Sequence, residues 1–321
     1  MHARPSPLLR HTSGLFTALC AFLLACSAAA QASTPLVVAS IKPIESLVAG
    51  VMAGTGDEPY LLVPGAASPH TYSLRPSDMR ALSQARVVFW VGPMLETFLN
   101  RPLKNLPADV RVVALSQAPG IKLLPVRAGF GIAPDEDIAD HAHRSLPHDA
   151  EINPHIWLDP RNAEAMVHEI TRVLSTIDPA HAARYQTNAT ALEARLSRLD
   201  QHLAHILAPV KTVPFMVFHD AYAYLDTRYG LRAVGALTVE PSLPPGARRV
   251  EAARQAITHY GVRCMFREPE FASPLVRTVT AGSDVRIGVL DPLGADLKPG
   301  PDLYFELMDA LGTHLDNCLA H

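Results

Sequence analysis

Aromatic residues and excess positive charge are both scarce in this chain of 321 residues. Phe, Trp and Tyr make up 6% of the sequence, and 28 Lys and Arg residues stand against 31 Asp and Glu residues. Because there is no basic stripe and few rings that could stack on bases, nucleic acid is not the expected partner. The remaining composition, 48% hydrophobic and 18% charged, is typical of a soluble globular protein of one large or two ordinary domains.

Acidic residues are absent from the first 32 positions, where Arg4 and Arg10 precede an apolar run over residues 15–30. The run is short for a membrane-spanning helix, and the small-x-small sequence at 30–32 is typical of a signal cleavage site. We therefore predict that residues 1–32 are a signal peptide and that the mature protein is exported. The alternative is a lipoprotein box at 23–26, which would make Cys26 a lipidated N-terminus.

Cysteine is also scarce, since removal of residues 1–32 leaves only Cys264 and Cys318. In an exported protein, such an isolated pair predicts a disulfide bond. The two positions are 54 residues apart, and closing a loop of that length should stabilise the fold by about 4 kcal/mol. Two free buried thiols would be the expectation for a cytoplasmic protein.

Strand-like apolar runs alternate with helical patterns from residue 36 onward. Continuous apolar runs separated by helices predict parallel strands that are buried on both faces. Apolar residues recur at helical spacing over 163–177, and a second series over 185–206 forms a heptad-like seam. We predict two α/β halves with a helical stretch between them. The predicted strands are 36–41, 60–63, 87–91, 110–115, 215–218, 233–236, 262–266 and 285–290.

Four polar residues are candidates under the rule that an open α/β sheet binds its ligands just beyond the carboxyl ends of its strands. His70 and His155 lie in the first half, and His219 and Asp291 directly follow strands of the second half. A site between the halves could use all four. Three imidazoles and one oxygen suit tetrahedral Zn²⁺, whereas Mn²⁺ prefers more carboxylate oxygen.

Four motifs carry a resemblance to a known family. Residues 65–78 (GAASPHTYSLRPSD), 153–160 (NPHIWLDP), 217–222 (VFHDAY) and 288–294 (GVLDPLG) closely resemble the metal motifs of the periplasmic solute-binding proteins of zinc ABC importers, the ZnuA type of the metal-binding cluster A-I family. The four motifs occur in register from about residue 37 to residue 318. The resemblance therefore covers nearly the whole mature chain.

This resemblance implies the ligands and the architecture. His70, His155 and His219 would bind zinc in a cleft between two α/β domains joined by a long rigid helix. The corresponding boundaries are 33–158 for the first domain, 159–178 for the linker helix and 179–321 for the second domain. A histidine at position 219, where manganese-type relatives carry a carboxylate, points to zinc. Asp291 is a candidate fourth ligand, with water or another carboxylate as the alternatives.

The resemblance also implies the partners, which are an ABC permease and its ATPase subunit, and a periplasmic, monomeric protein that is not an enzyme. The chain has no Walker phosphate loop, so ATP hydrolysis would belong to the partner. Family members often have a long His-rich insertion before the second ligand. Here the loop is short, and His141, His143 and His148 would either bind an auxiliary zinc ion weakly or form an ordinary solvated loop.

Two alternative functions remain open from the sequence. The first is a manganese-binding component of a related importer. The second is a secreted zinc hydrolase, which would need a general base beside an open metal position. No His-Glu-x-x-His motif is present, and Glu268 is the best candidate for that base. A pairing of Glu268 with Arg267, or a place in the cleft wall, is the favoured interpretation of this residue.

Overall fold

Two four-stranded parallel sheets form the framework of the computed structural model. The structure describes residues 1–2, 36–127, 151–239, 241, 243, 245–271 and 274–321. Both sheets belong to one compact unit. The strands are β1 Val37–Ile41, β2 Tyr60–Val63, β3 Val87–Trp90, β4 Arg111–Ala114, β5 Phe215–His219, β6 Ala233–Thr238, β7 Cys264–Arg267 and β8 Arg286–Val289.

The two sheets share one topology. Their strand orders are β2-β1-β3-β4 and β6-β5-β7-β8, so the first strand of each half lies in the interior of its sheet. Every residue of β1 and of β5 is buried, as expected for parallel strands covered by helices on both faces. In each sheet the chain winds in opposite directions on either side of the first strand. That position is the topological switch point at which such sheets bind ligands.

The helices of the described chain cover the sheets and connect the halves. They are α1 Lys42–Met52, α2 Pro76–Gln84, α3 Pro160–Ile177, α4 Ala182–Leu207, α5 Ala223–Tyr229, α6 Ala247–Tyr260, α7 Pro274–Thr280 and α8 Leu303–Leu319. None of the helices in the described ranges combines the length and the apolar character needed to cross a membrane.

Helix α3 begins where the sequence predicts a helix start. Asp159 caps it, because its carboxylate accepts a hydrogen bond from the backbone N–H of Arg161 at 2.9 Å. Pro160 occupies the first turn, where its missing N–H costs no hydrogen bond. The helix therefore extends over nearly the whole of the predicted linker, 159–178.

Helix α4 contacts both halves of the molecule. Its buried face packs against α3, against α1 of the first half and against α8 of the second half. A Cβ atom built on Gly50 of α1 or on Gly312 of α8 would lie about 3 Å or less from leucine side chains of α4. The sequence assigns this helix to the second domain alone, and the predicted boundary at 178/179 remains a prediction.

The first turn of α1 holds the loop that follows β8. The Lys42 ammonium donates hydrogen bonds to the carbonyls of Gly294 and Ala295 at 2.7 Å, and to that of Leu297 at 3.1 Å. Burial lowers the pKa of Lys42, and nearby acids oppose that effect. In the same turn, Glu45 accepts a hydrogen bond from the backbone N–H of Gly300 at 3.1 Å.

The cysteine pair forms the predicted disulfide. Cys264, the first residue of β7, is bonded to Cys318 in the last turn of α8. The bond ties the C-terminal helix to the second sheet. The signal-peptide prediction, including its lipoprotein alternative at Cys26, and the loop histidines His141, His143 and His148 lie outside the described residues.

Candidate metal centre

The site lies at the carboxyl ends of the strands that border the two switch points. In the second sheet, His219 is the last residue of β5, and Glu268 directly follows β7, the strand beside it. Both side chains are buried, with 2% and 1% of their surface exposed. In the first half, His70 lies in the loop after β2, and His155 immediately precedes a short 3₁₀ turn, Ile156–Leu158.

A buried aspartate anchors the loop that carries His70. The Asp78 carboxylate accepts hydrogen bonds from the hydroxyls of Tyr60 and Tyr72 at 3.0 and 2.9 Å, and from the Arg75 backbone and guanidinium. Burial alone would raise the pKa of Asp78, but these hydrogen bonds outweigh it and lower the pKa to about 2. The carboxylate is therefore ionised at any physiological pH, and it holds both ends of the loop.

Asn153 orients His155. Its side-chain oxygen accepts from the imidazole Nδ1 at 2.9 Å and from the His155 backbone N–H at 3.1 Å. Since Nδ1 is then the protonated nitrogen, Nε2 keeps a lone pair for a metal ion. Burial lowers the pKa of His155 well below its usual value, and the neighbouring His219 and His70 rings lower it further. This imidazole is therefore neutral and ready to bind a cation.

Glu268 plays the corresponding role for His219. Its Oε2 lies 3.2 Å from the imidazole Nδ1, so this carboxyl group holds the His219 ring at that nitrogen. Burial raises the pKa of Glu268. The charge of Asp291 raises this pKa further, and a hydrogen bond from Tyr222 lowers it. A carboxyl group that interacts with the far side of a ligating imidazole is a common support in metal sites.

The three imidazoles converge on one point. Their ring centroids are 5.5 Å apart for His70 and His155, 5.1 Å for His70 and His219, and 4.7 Å for His155 and His219. One nitrogen from each ring lies within 4.8 Å of the other two. All three line one small cavity, beside Trp157, Glu270 and Phe271. Three imidazoles that line one partly enclosed cavity are a suitable donor set for Zn²⁺.

Asp291 has a different environment. Its Oδ1 accepts hydrogen bonds from the backbone N–H groups of Leu293 and Gly294 at 2.9 and 2.8 Å, and its Oδ2 accepts from Ala295 at 2.6 Å. These bonds fix the turn after β8, and the structure does not bring Asp291 into the group of three imidazoles. The adjacent carbonyl of Pro292 accepts from the indole N–H of Trp157 at 2.8 Å, which joins this turn to the first half.

Two glutamates lie near the imidazoles. Glu268 lines the cavity, as the cleft-wall interpretation expects, and it contacts His219 instead of pairing with Arg267. Glu270, which the sequence does not single out, lines the same cavity. Both glutamates follow a strand closely, and the same criterion identifies His219 as a candidate in the sequence. The missing information was the strand order, which puts β7 directly beside β5.

A second set of charges holds the halves together beside the site. The Arg127 guanidinium forms ion pairs with Asp220 at 2.5 Å and with Asp226 at 2.6 Å. Asp220 directly follows His219, and the Asn153 amide donates to its backbone carbonyl at 2.6 Å. Burial raises the pKa of Asp226 to about 6, although the charge of Arg127 opposes this. These contacts link the residues beside two of the imidazoles across the cleft.

Comparison with known proteins gives a consistent result. The family model for the zinc-uptake complex component A, periplasmic, matches residues 37–318. The chain is 41% identical over 307 residues to the high-affinity zinc uptake system protein ZnuA of Brucella suis, and the match covers 88% of this chain and 91% of the relative.

Solved structures show the same architecture. A crystal structure of ZnuA has a TM-score of 0.71 and 25% identity, and the match covers 88% of this chain and 99% of that chain. A mutant of the laminin-binding adhesin Lmb from Streptococcus agalactiae has a TM-score of 0.73 at 22% identity, with coverage of 89% and 99%, and it supports the fold alone. The predicted α/β fold of two parallel-sheet halves is confirmed. With its match over residues 37–318, this chain belongs to the family of periplasmic zinc-uptake components.

Proposed function

We propose that the protein binds Zn²⁺ in the periplasm through His70, His155 and His219 and delivers it to an ABC importer. The observation that carries this proposal is the convergence of one nitrogen from each imidazole within 4.8 Å of the other two. The relative from Brucella suis is named a high-affinity zinc uptake system protein. The zinc ion is cargo in this proposal, and the protein does no chemistry on it.

Orientation of the imidazoles supports tight binding. Asn153 and Glu268 interact with Nδ1 of His155 and His219, so two of the three rings are held in position by neighbouring side chains before the metal arrives. Such support lowers the cost of ordering the ligands on binding. Protons compete with zinc for the same nitrogens, so affinity falls at acid pH. The lowered pKa of His155 delays that loss to a lower pH.

Zinc is the preferred cargo over manganese because the three converging donors are nitrogens. A hydrolase is disfavoured by the position of Glu268. Its Oε2 is directed at Nδ1 of His219, on the far side of the ring from the metal, and a general base must instead reach a metal-bound water. Turnover of a peptide or ester that depends on zinc would support the enzyme instead.

The importer supplies the remaining parts. The partners are a permease and an ATPase subunit, and the protein acts as a monomer that meets them from the periplasm. The proposed units are a first metal-binding domain at 33–158, a linker helix at 159–178 and a second metal-binding domain at 179–321. The histidines at 141, 143 and 148 would add at most a weak auxiliary zinc site.

His219→Ala tests the assignment. Metal-free protein is titrated with Zn²⁺ against a competing chelator, and the variant should bind more weakly by at least about 100-fold, since the loss of a supporting group alone costs 10- to 100-fold. His202→Ala is the matched control, because this exposed histidine of α4 faces Asp309 on α8, away from the cavity. Unchanged affinity in the His219 variant would remove the basis of the proposal, and tighter binding of Mn²⁺ than of Zn²⁺ would favour the manganese importer.

A further inference from the structure

We propose that Glu270 is the fourth functional residue of the metal centre and accepts a hydrogen bond from a water molecule bound to the zinc ion. This inference rests on the proposed zinc-binding function and deepens it. Glu270 follows β7 by three residues and lines the same cavity as the three imidazoles. Glu270 does not belong to the group of three histidines whose ligand nitrogens lie within 4.8 Å of one another. We therefore propose that a water molecule bridges Glu270 and the zinc ion, and not that Glu270 binds the ion directly.

The charge balance of the site calls for an anion. Three neutral imidazoles leave the full double charge of Zn²⁺ uncompensated in a partly enclosed cavity, and an uncompensated buried charge is costly. Among the described residues, Glu268 and Glu270 line this cavity and Asp291 interacts with both, and two of these three acids are already engaged. Glu268 interacts with Nδ1 of His219, and Asp291 accepts three backbone hydrogen bonds.

Glu270 is the acid that remains. Neither of its carboxylate oxygens receives a hydrogen bond from a donor in the described part of the chain, although both oxygens are shielded from solvent. Its carboxyl group interacts instead with Asp291, another acid. A buried carboxyl group that lines the cavity of the three imidazoles and lies beside another acid is well placed to interact with an arriving cation.

The electrostatic state of the metal-free protein agrees with this geometry. Burial, followed by the charges of Asp291 and Glu268, raises the pKa of Glu270 to about 9. The carboxyl group is therefore neutral while the site holds no cation. A bound zinc ion favours its ionised form, because an opposite charge nearby lowers the pKa of an acid. The negative charge is thus present when a cation needs it.

Glu270→Gln tests the proposal, because it keeps the size of the side chain and removes the negative charge. In chelator competition, Zn²⁺ affinity should fall about 10- to 100-fold, as for other groups that support a bound metal from outside its ligands. The melting temperature of the metal-free variant should equal or exceed that of the original protein, since glutamine is neutral beside Asp291 without taking up a proton on folding. The rise in melting temperature on adding zinc should become smaller.

Two controls separate the possible causes. Glu151→Gln removes an exposed acid that lines the neighbouring cavity near His155, so it tests whether any loss of negative charge near the site is enough. Its zinc affinity should stay within about 2-fold of the original. Cobalt(II) absorption should be the same in the Glu270 variant as in the original protein, because a bridged water leaves the direct ligands in place.

Each outcome decides the matter. Equal losses in the Glu270 and Glu151 variants, or unchanged affinity in Glu270→Gln, would overturn the proposed role of Glu270. An altered cobalt spectrum would overturn the water bridge in favour of direct coordination. The proposed function itself stands or falls on His219→Ala: if that variant loses zinc and Glu270→Gln does not, zinc binding survives and only the fourth residue is rejected.

Discussion

Glu45 allows a quantitative test of a buried contact between the two halves, its hydrogen bond with the backbone of Gly300. It lies in the first turn of α1 with 5% of its surface exposed, and it accepts a hydrogen bond from the backbone N–H of Gly300. Burial raises its pKa from 4.5 to about 7, against the effect of the Gly300 hydrogen bond. The predicted change is that Glu45→Gln makes the metal-free protein more stable in mildly alkaline solution.

The sign follows from proton uptake. Between pH 4.5 and about pH 7, the folded protein keeps a proton on Glu45 that the unfolded chain has released. The contribution of this group to the free energy of unfolding therefore increases as pH falls through 7, and it is lost as pH rises. The difference between 4.5 and about 7 corresponds to about 3 kcal/mol at about 1.4 kcal/mol per pH unit.

Glutamine keeps a carbonyl oxygen for Gly300 and has no charge to bury. The Glu45→Gln protein should therefore be more stable than the original by up to about 3 kcal/mol near pH 8, and by less than about 1 kcal/mol near pH 5. Urea unfolding with a chelator present measures both differences. Because both proteins contain the same other acids, the comparison isolates Glu45.

Glu251→Gln is the control, since Glu251 is an exposed acid of α6. Its effect should stay within about 0.5 kcal/mol at both pH values. A Glu45 variant that is less stable than the original near pH 8, or a stability difference that does not change with pH, would refute the reasoning. The hydrogen bond to Gly300 would then matter more than the buried charge.

Two further predictions concern the support of the site and the disulfide. Asn153→Ala removes the acceptor at Nδ1 of His155, so zinc affinity should fall about 10- to 100-fold in chelator competition. The control Asn188→Ala breaks amide contacts to α1 far from the site and should leave zinc affinity unchanged. Equal losses of affinity in the two variants would contradict the role of Asn153. Cys318→Ala should lower the free energy of unfolding by about 4 kcal/mol in urea while zinc affinity is kept, because Cys264 begins β7 and the site lies beyond its other end. The original protein with its disulfide reduced should have the same free energy of unfolding as this variant. The prediction would be contradicted if the original protein with its disulfide intact were no more stable than the variant.

Local patterns were enough to predict most of the framework. The apolar run at 60–63 is strand β2, and the predicted strand 87–91 ends one residue later than β3. The start of α3 at Asp159 and Pro160 was predicted because capping depends on neighbouring residues alone. His70 and His219 were found for a similar reason, since the end of a strand can be read from the sequence and parallel strands present their carboxyl ends on one edge.

Features that depend on strand order or on loop geometry were not predicted. Glu268 reaches His219 because β7 lies beside β5, and no local pattern indicates which strands of a sheet are neighbours. Asp291 follows a strand just as His219 does, yet the turn after β8 directs three backbone N–H groups at its carboxylate. Position at a strand end therefore selects candidates, and the fold of the following loop decides which of them can bind a metal.

Helix α4 has a consequence for the kinetics of metal exchange. Four of its leucines, at positions 192, 196, 199 and 203, are buried in the face that packs against helices of both halves. Swinging the halves apart would expose the leucines that pack against the half separated from α4, at a cost of about 1.5–3 kcal/mol for each side chain. Opening of that size is rare at equilibrium. Zinc should therefore leave with the two halves nearly fixed, by sequential loss of its bonds to the imidazoles, so the residence time of the ion is set at the cavity itself.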